Sequence, residues 1–90
     1  MSIAVRIPTI LRQYTEGEKS VPGSGTTLSE LLTDLDARHP GMADRLVSDG
    51  ELRRFVNVYV NDEDVRFLGG LDTPLADGDE VTVLPAVAGG

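Results

Sequence analysis

The sequence closes on "LPAVAGG" at residues 84–90, and the chemistry open to it there is that of a carboxylate carried by two residues without side chains. At an average glycine usage of about 7%, two terminal glycines arise by chance in roughly one chain in two hundred. Lacking Cβ atoms, Gly89 and Gly90 can thread a channel too narrow for other residues. An α-carboxylate is ionised at neutral pH and is a poor electrophile. An ATP-dependent partner would have to convert it to an acyl adenylate, after which a sulfur donor could leave a C-terminal thiocarboxylate. In a chain with no cysteine, that group would be the only thiolate-like nucleophile. The plain alternative is a frayed chain end, whose loss would leave every activity intact.

The other candidates for chemistry are weaker. His39 is the single histidine and sits beside Pro40 at a helix end, where a cation suits the helix dipole. "NDEDVR" at 61–66 has the carboxylate density of a calcium loop but lacks its twelve-residue spacing, central glycine and closing glutamate, and reads as a solvated turn. Asp34 with Asp36, or Asp77 with Asp79, could form a carboxylate pair, but acid/base work needs a pocket that shifts a pKa. "GSG" at 23–25 and "GG" at 69–70 lack the lysine and the strand–loop–helix context of a phosphate loop. No side chain is assigned catalytic or metal-binding work, and no bound cofactor is expected.

Composition narrows the class. Ninety residues, 40% of them hydrophobic, fit one domain with a small core, here drawn from Val, Leu and Ile because Trp is absent and Phe and Tyr number two each. The absence of cysteine excludes a disulfide framework, a thiolate metal site and a cysteine nucleophile. A net charge of −7 repels phosphate backbones, so nucleic acid is not an expected partner and a basic protein surface is. The start "MSIAVRIPTILRQ" has no basic leader followed by a long apolar run, and no window nears the ~20 apolar residues of a membrane span. A cytoplasmic protein without a membrane partner is expected.

The elements must carry the tail. Ile3, Val5 and Ile7 alternate with polar or small residues and Pro8 ends the run, which predicts a first strand. "TILRQYTEGE" reads as a loop before a short strand at 19–21, and "PGSG" as a turn. Thr27 as cap, Glu30 completing a capping box, and Leu28, Leu31, Leu32 and Leu35 on one face predict a helix that "HPG" at 39–41 stops. Residues 42–53 look irregular, with room for one helical turn. Val56, Val58 and Val60 share one face of a strand and Phe55, Asn57, Tyr59 and Asn61 the other, with a return after a turn at Asp62-Glu63. Asp77-Gly78-Asp79 turns into a last strand holding Val81 and Val83, which Pro85 ends. This order predicts an α+β arrangement, as in a β-grasp fold: a mixed sheet of four to five strands, the first and last parallel at its centre, covered on one face by one main helix. The domain spans 1–85, and Ala86, Val87, Ala88, Gly89 and Gly90 form a flexible arm reaching at most ~17 Å. Phe55, Tyr59 and Leu84 lie on the face away from the helix, a candidate docking patch unless 42–53 covers it.

The element order, "YVNDEDVRF" at 59–67, "DGDEVTVLPAVAGG" at 77–90 and the terminal Gly89-Gly90 resemble the ubiquitin-like sulfur carriers of the ThiS/MoaD family. The resemblance covers essentially the whole chain. Within the family, "IPTILR" at 7–12 and the long match over 54–90 are most similar to the carriers of cysteine biosynthesis. That resemblance implies an E1-like adenylyltransferase/sulfurtransferase with a rhodanese domain, which consumes ATP to adenylate Gly90 and installs sulfur. It also implies a PLP-dependent cysteine synthase of the CysM type as acceptor, and a JAB-type zinc metalloprotease that releases cysteine. Under it, Gly90 carries the sulfur, Gly89 permits threading and 86–88 are the arm. The PLP and the zinc belong to the partners. Two other roles use the same terminus: the small subunit of molybdopterin synthase, and a ubiquitin-like modifier that forms isopeptide bonds to lysines.

Overall fold

The computed structural model describes residues 2–53 and 56–85. Strand β1, Ile3–Arg6, buries Ile3 and Val5 completely and leaves Ala4 and Arg6 exposed, the alternation its sequence dictates. Pro8 then opens a 3-10 helix, Thr9–Tyr14, where a loop was expected. Its first bond runs from the Leu11 N–H to the Pro8 carbonyl at 3.0 Å, and it turns Leu11 into the core. Strand β2, Ser20–Gly23, begins one residue later than expected and pairs antiparallel with β1, Val5 opposite Val21. Pro22 is tolerated because β2 is a sheet edge.

Helix α1, Leu28–Arg38, forms where its caps and leucines predict. Thr27 Oγ1 accepts the Glu30 N–H at 3.2 Å. The box closes differently from the expectation: Glu30 Oε1 reaches back to Thr26, accepting its N–H at 2.8 Å and its hydroxyl at 2.7 Å. Those bonds, the hydroxyl's first, hold the Glu30 carboxyl below its usual range. Leu28, Leu31, Leu32 and Leu35 are all buried, each contributing roughly 2 kcal/mol of burial free energy. His39 caps the C-terminus, its N–H on the Leu35 carbonyl at 2.7 Å.

Residues 42–53 are more ordered than expected. Helix α2, Met42–Leu46, leads into a hairpin of β3, Val47–Ser48, and β4, Glu51–Leu52, turning at Asp49 and Gly50 with φ of 53° and 78°. Met42 and Leu46 are fully buried and Val47 and Leu52 pack on the core, so this segment extends the helix layer and leaves the opposite sheet face open.

Strand β5, Val56–Val60, buries its three valines. Asn61 and Asp62, with φ of 48° and 74°, make the two-residue turn into β6, Glu63–Asp64, one residue earlier than expected. Strand β7, Glu80–Pro85, completes a five-stranded sheet of order β2-β1-β7-β5-β6, with β1 and β7 parallel and the other pairs antiparallel. This is the mixed β-grasp sheet under one main helix that the element order predicts.

Candidate functional site at the root of the C-terminal arm

The arm leaves from β7, and β7 is fixed on both sides. It pairs with β5 over five positions, from Val60↔Val81 to Val56↔Pro85, and with β1 over three, from Ala4↔Glu80 to Arg6↔Thr82. The pairing with β1 ends early because Pro8 turns the chain away into its 3-10 helix. Beyond Thr82, therefore, β7 is paired among the described residues on its β5 side alone. Gly90, Gly89, Ala88, Val87, Ala86 and Phe55 lie outside the described residues.

Among the described residues no helix packs on the sheet face opposite α1. Asn57 stands opposite Leu84 and Tyr59 opposite Thr82, so Tyr59 and Leu84 share that face. Leu84 is 44% exposed and Tyr59 half-buried. Tyr59, Asp62, Thr82 and Leu84 surround a shallow depression of about 200 Å³. Arg66 closes one margin of this face, its Nη2 donating to the Val56 carbonyl at 2.8 Å and its Nη1 to Asn57 Oδ1.

A second feature lies where the β1–β7 pairing stops. A groove of about 380 Å³ is bounded by Arg6, Arg12 and Lys19, with Ile10, Leu84 and Pro85 among its apolar members, and no carboxylate lines it among the described residues. Ile10 is 63% exposed there. Arg12 Nε donates to the Ile7 carbonyl at 3.2 Å, and Ile7 donates its N–H to the Lys19 carbonyl at 2.8 Å, so the groove's walls are tied to each other. Sequence reasoning missed this site. The only signal was that three of eight cations in an acidic chain fall between residues 6 and 19, on either side of the turn at Pro8.

The carboxylates weighed for chemistry serve the scaffold. Asp34 accepts the Ser24 N–H at 2.9 Å and pairs with Arg38 at 2.8 Å. Asp36 accepts the N–H groups of Gly41 and Ala43 at the start of α2. Asp77 binds the Ser2 N–H at 2.7 Å. Asp79 accepts from the Ala76 N–H at 2.8 Å and Asn61 Nδ2 at 3.0 Å; these bonds, the Ala76 one foremost, hold its carboxyl below the usual range. Asp64 accepts the Arg66 N–H, an Asx turn after the hairpin. Among the described residues no group of three or more His, Cys, Asp or Glu could hold a metal ion, and no helix is long and apolar enough to cross a membrane.

The sequence matches the ThiS family over residues 5–90, from β1 through both glycines. The chain belongs to the ThiS family. Its similarity to individual ThiS-family relatives runs end to end. It is 60% identical over 93 residues to the sulfur carrier protein CysO of Mycobacterium tuberculosis (strain ATCC 25618 / H37Rv), covering all of both chains. A chain in the crystal structure of the Amycolatopsis orientalis BexX/CysO complex superposes with a TM-score of 0.93 at 58% identity, over 98% of this chain and 99% of that one. Small archaeal modifier protein 3 of Haloferax volcanii is 39% identical, again over the full length of both. Fold and family thus agree with the resemblance carried by the hairpin and the last strand.

Proposed function

We propose that this chain is a sulfur carrier: a protein co-substrate, not an enzyme, whose Gly90 carboxylate is adenylated by an E1-like partner and converted to a thiocarboxylate. The observation that carries the reading is the placement of β7. A central strand, held by β5 to Pro85, leads into five residues ending in Gly89-Gly90 within a ThiS-family sequence. The chemistry balances simply. A Gly90 carboxylate oxygen attacks the α-phosphorus of ATP and pyrophosphate leaves. Sulfide sulfur then attacks the acyl carbon and AMP leaves, so one oxygen of the carboxylate is exchanged for sulfur.

The full-length similarity to carriers called CysO supports cysteine biosynthesis as the destination of the sulfur. In that route a CysM-type synthase, with its own PLP, presents an aminoacrylate to the thiocarboxylate. The sulfur adds to it, an acyl shift moves Gly90 to the new amine, and a JAB-type zinc metalloprotease hydrolyses that bond, releasing cysteine and restoring Gly90. The domain, residues 1–85, is the handle by which each partner holds the arm at 86–90, and Phe55, Tyr59 and Leu84 are the docking patch.

The deciding measurement is the intact mass after incubation with an E1-like activating enzyme, ATP and sulfide, followed by an alkylating agent. The expected product has one oxygen replaced by sulfur and one alkyl group, both on the C-terminal fragment. An unchanged mass, with the enzyme competent on another carrier, overturns the reading. The similarity to an archaeal modifier favours a second one, in which activated Gly90 is transferred to lysines of other proteins. Lysine-linked conjugates in cell extract, absent without Gly90, would establish it.

A further inference from the structure

We propose that the groove beside Pro85 receives an acidic, apolar-bearing segment of the protein partner that acts on the arm. The inference deepens the carrier reading and rests on it. The chain carries −7 overall, which alone favours a basic partner, yet the surface where the arm begins has the opposite sign. Arg6, Arg12 and Lys19 border the groove, with no carboxylate among its described lining residues. Three cations side by side on an otherwise acidic chain attract an acidic segment to this groove and help to orient it as it approaches.

The groove's apolar members decide between occupants. Ile10 and Leu84 are 63% and 44% exposed at its edge, and a phosphate ion would leave both in water. A peptide alternating carboxylates with aliphatic side chains satisfies the cations and covers the apolar surface together. The groove is also continuous with the Tyr59 face through Leu84, which borders both, so one partner can cover the two. Because the β1–β7 pairing ends at Thr82, a segment seated there lies against the unsupported side of β7, directly at the start of the arm.

The test uses the full chain labelled with 15N and a capped synthetic peptide alternating glutamate and leucine. Amide shifts are expected at 6, 7, 9–12, 19 and 82–84, and affinity should fall at least tenfold in the double variant Arg6→Glu/Lys19→Glu. Shifts elsewhere, equal shifts with a lysine–leucine peptide, or the same shifts from inorganic phosphate overturn the proposal. Should the double variant fail to fold, carbodiimide coupling of the same peptide to the unaltered chain decides. Lys19 is the only lysine, so a bond at Lys19 supports the groove and a bond only at the N-terminal amine overturns it. In loading by the activating enzyme, the double variant should raise KM for the carrier at least tenfold with kcat unchanged. An unchanged KM sinks the groove while the carrier reading stands. A wild-type chain that is never loaded sinks the carrier reading instead, and the peptide experiment still decides the groove.

Discussion

Asn61 Nδ2 lies 3.0 Å from Asp79 Oδ1, and Asn61 Oδ1 accepts the Glu80 N–H at 3.0 Å, so the turn that ends β5 is tied to the residues that open β7. With the Ala76 N–H on its other oxygen, the Asp79 carboxyl titrates below its usual range. A carboxyl lowered by folding contributes stability that is present above its unfolded pKa, roughly pH 4, and lost as pH falls through its folded value. Urea unfolding from pH 6 to pH 3 should therefore show a falling midpoint. Asp79→Asn should start from a lower midpoint at pH 6 and lose less on acidification. Glu30, also lowered, keeps part of the slope in the variant. A variant with the full wild-type slope would mean that Asp79 does not contribute.

Gly25 marks a close approach of two backbones. A Cβ there would stand 2.6 Å from the Leu31 nitrogen and 3.0 Å from the Glu30 carbonyl carbon, both in α1, at a φ of 157°. The helix cannot yield without unseating its first turn from the core. Gly25→Ala should cost at least about 2 kcal/mol in urea unfolding.

Thr27 supplies the side-chain oxygen for the first turn of α1, while Glu30 serves Thr26 instead. The two interactions therefore act on different N–H groups. Thr27→Ala should cost about 1 kcal/mol. Adding Glu30→Ala should lower stability further by a comparable step, and a double variant no worse than either single would show that the two bonds form as one unit.

The open face offers a test of docking. Tyr59→Ala removes a half-buried ring opposite Thr82 and touches none of the valines beneath, so stability should fall by no more than about 1 kcal/mol. Loading by the activating enzyme should show a KM raised several-fold at constant kcat. An unchanged KM would remove Tyr59 from the docking surface.

Legibility followed the range of the forces involved. Strict alternation at Ile3 and Val5, at Val56–Val60 and at Val81–Val83, and the leucines of α1, each state which face is buried, and the parallel centre follows once a helix must cover that face. Residues 42–53 were less clear because each piece is too short for a period to show. Asp49-Gly50 is nonetheless a hairpin-turn pair that the sequence itself displays. The 3-10 helix at Thr9–Tyr14 hides one buried residue, Leu11, in a mixed pattern. The basic groove shows in the sequence only as three cations between residues 6 and 19, since Arg6 and Arg12 meet Leu84 only through the parallel pairing of β1 with β7. The chemistry proposed for the terminus rests on residue type alone.

Removing Gly89 and Gly90 separates chemistry from folding. The core cluster among the described residues runs from Ile3 to Val83, and Pro85 at the end of β7 is exposed, so the deletion takes away none of that core. The shortened chain should melt with wild-type cooperativity and midpoint, yet show no exchange of oxygen for sulfur under conditions that load the full chain. Val83→Ala should behave in the opposite way. It removes a side chain that is 2% exposed, costing about 2 kcal/mol, while the variant remains loadable below its melting temperature. A deletion that unfolds the domain would make the glycines structural and leave the carrier reading without its reacting atom. A deletion that still accepts sulfur would place the reaction somewhere other than the terminus.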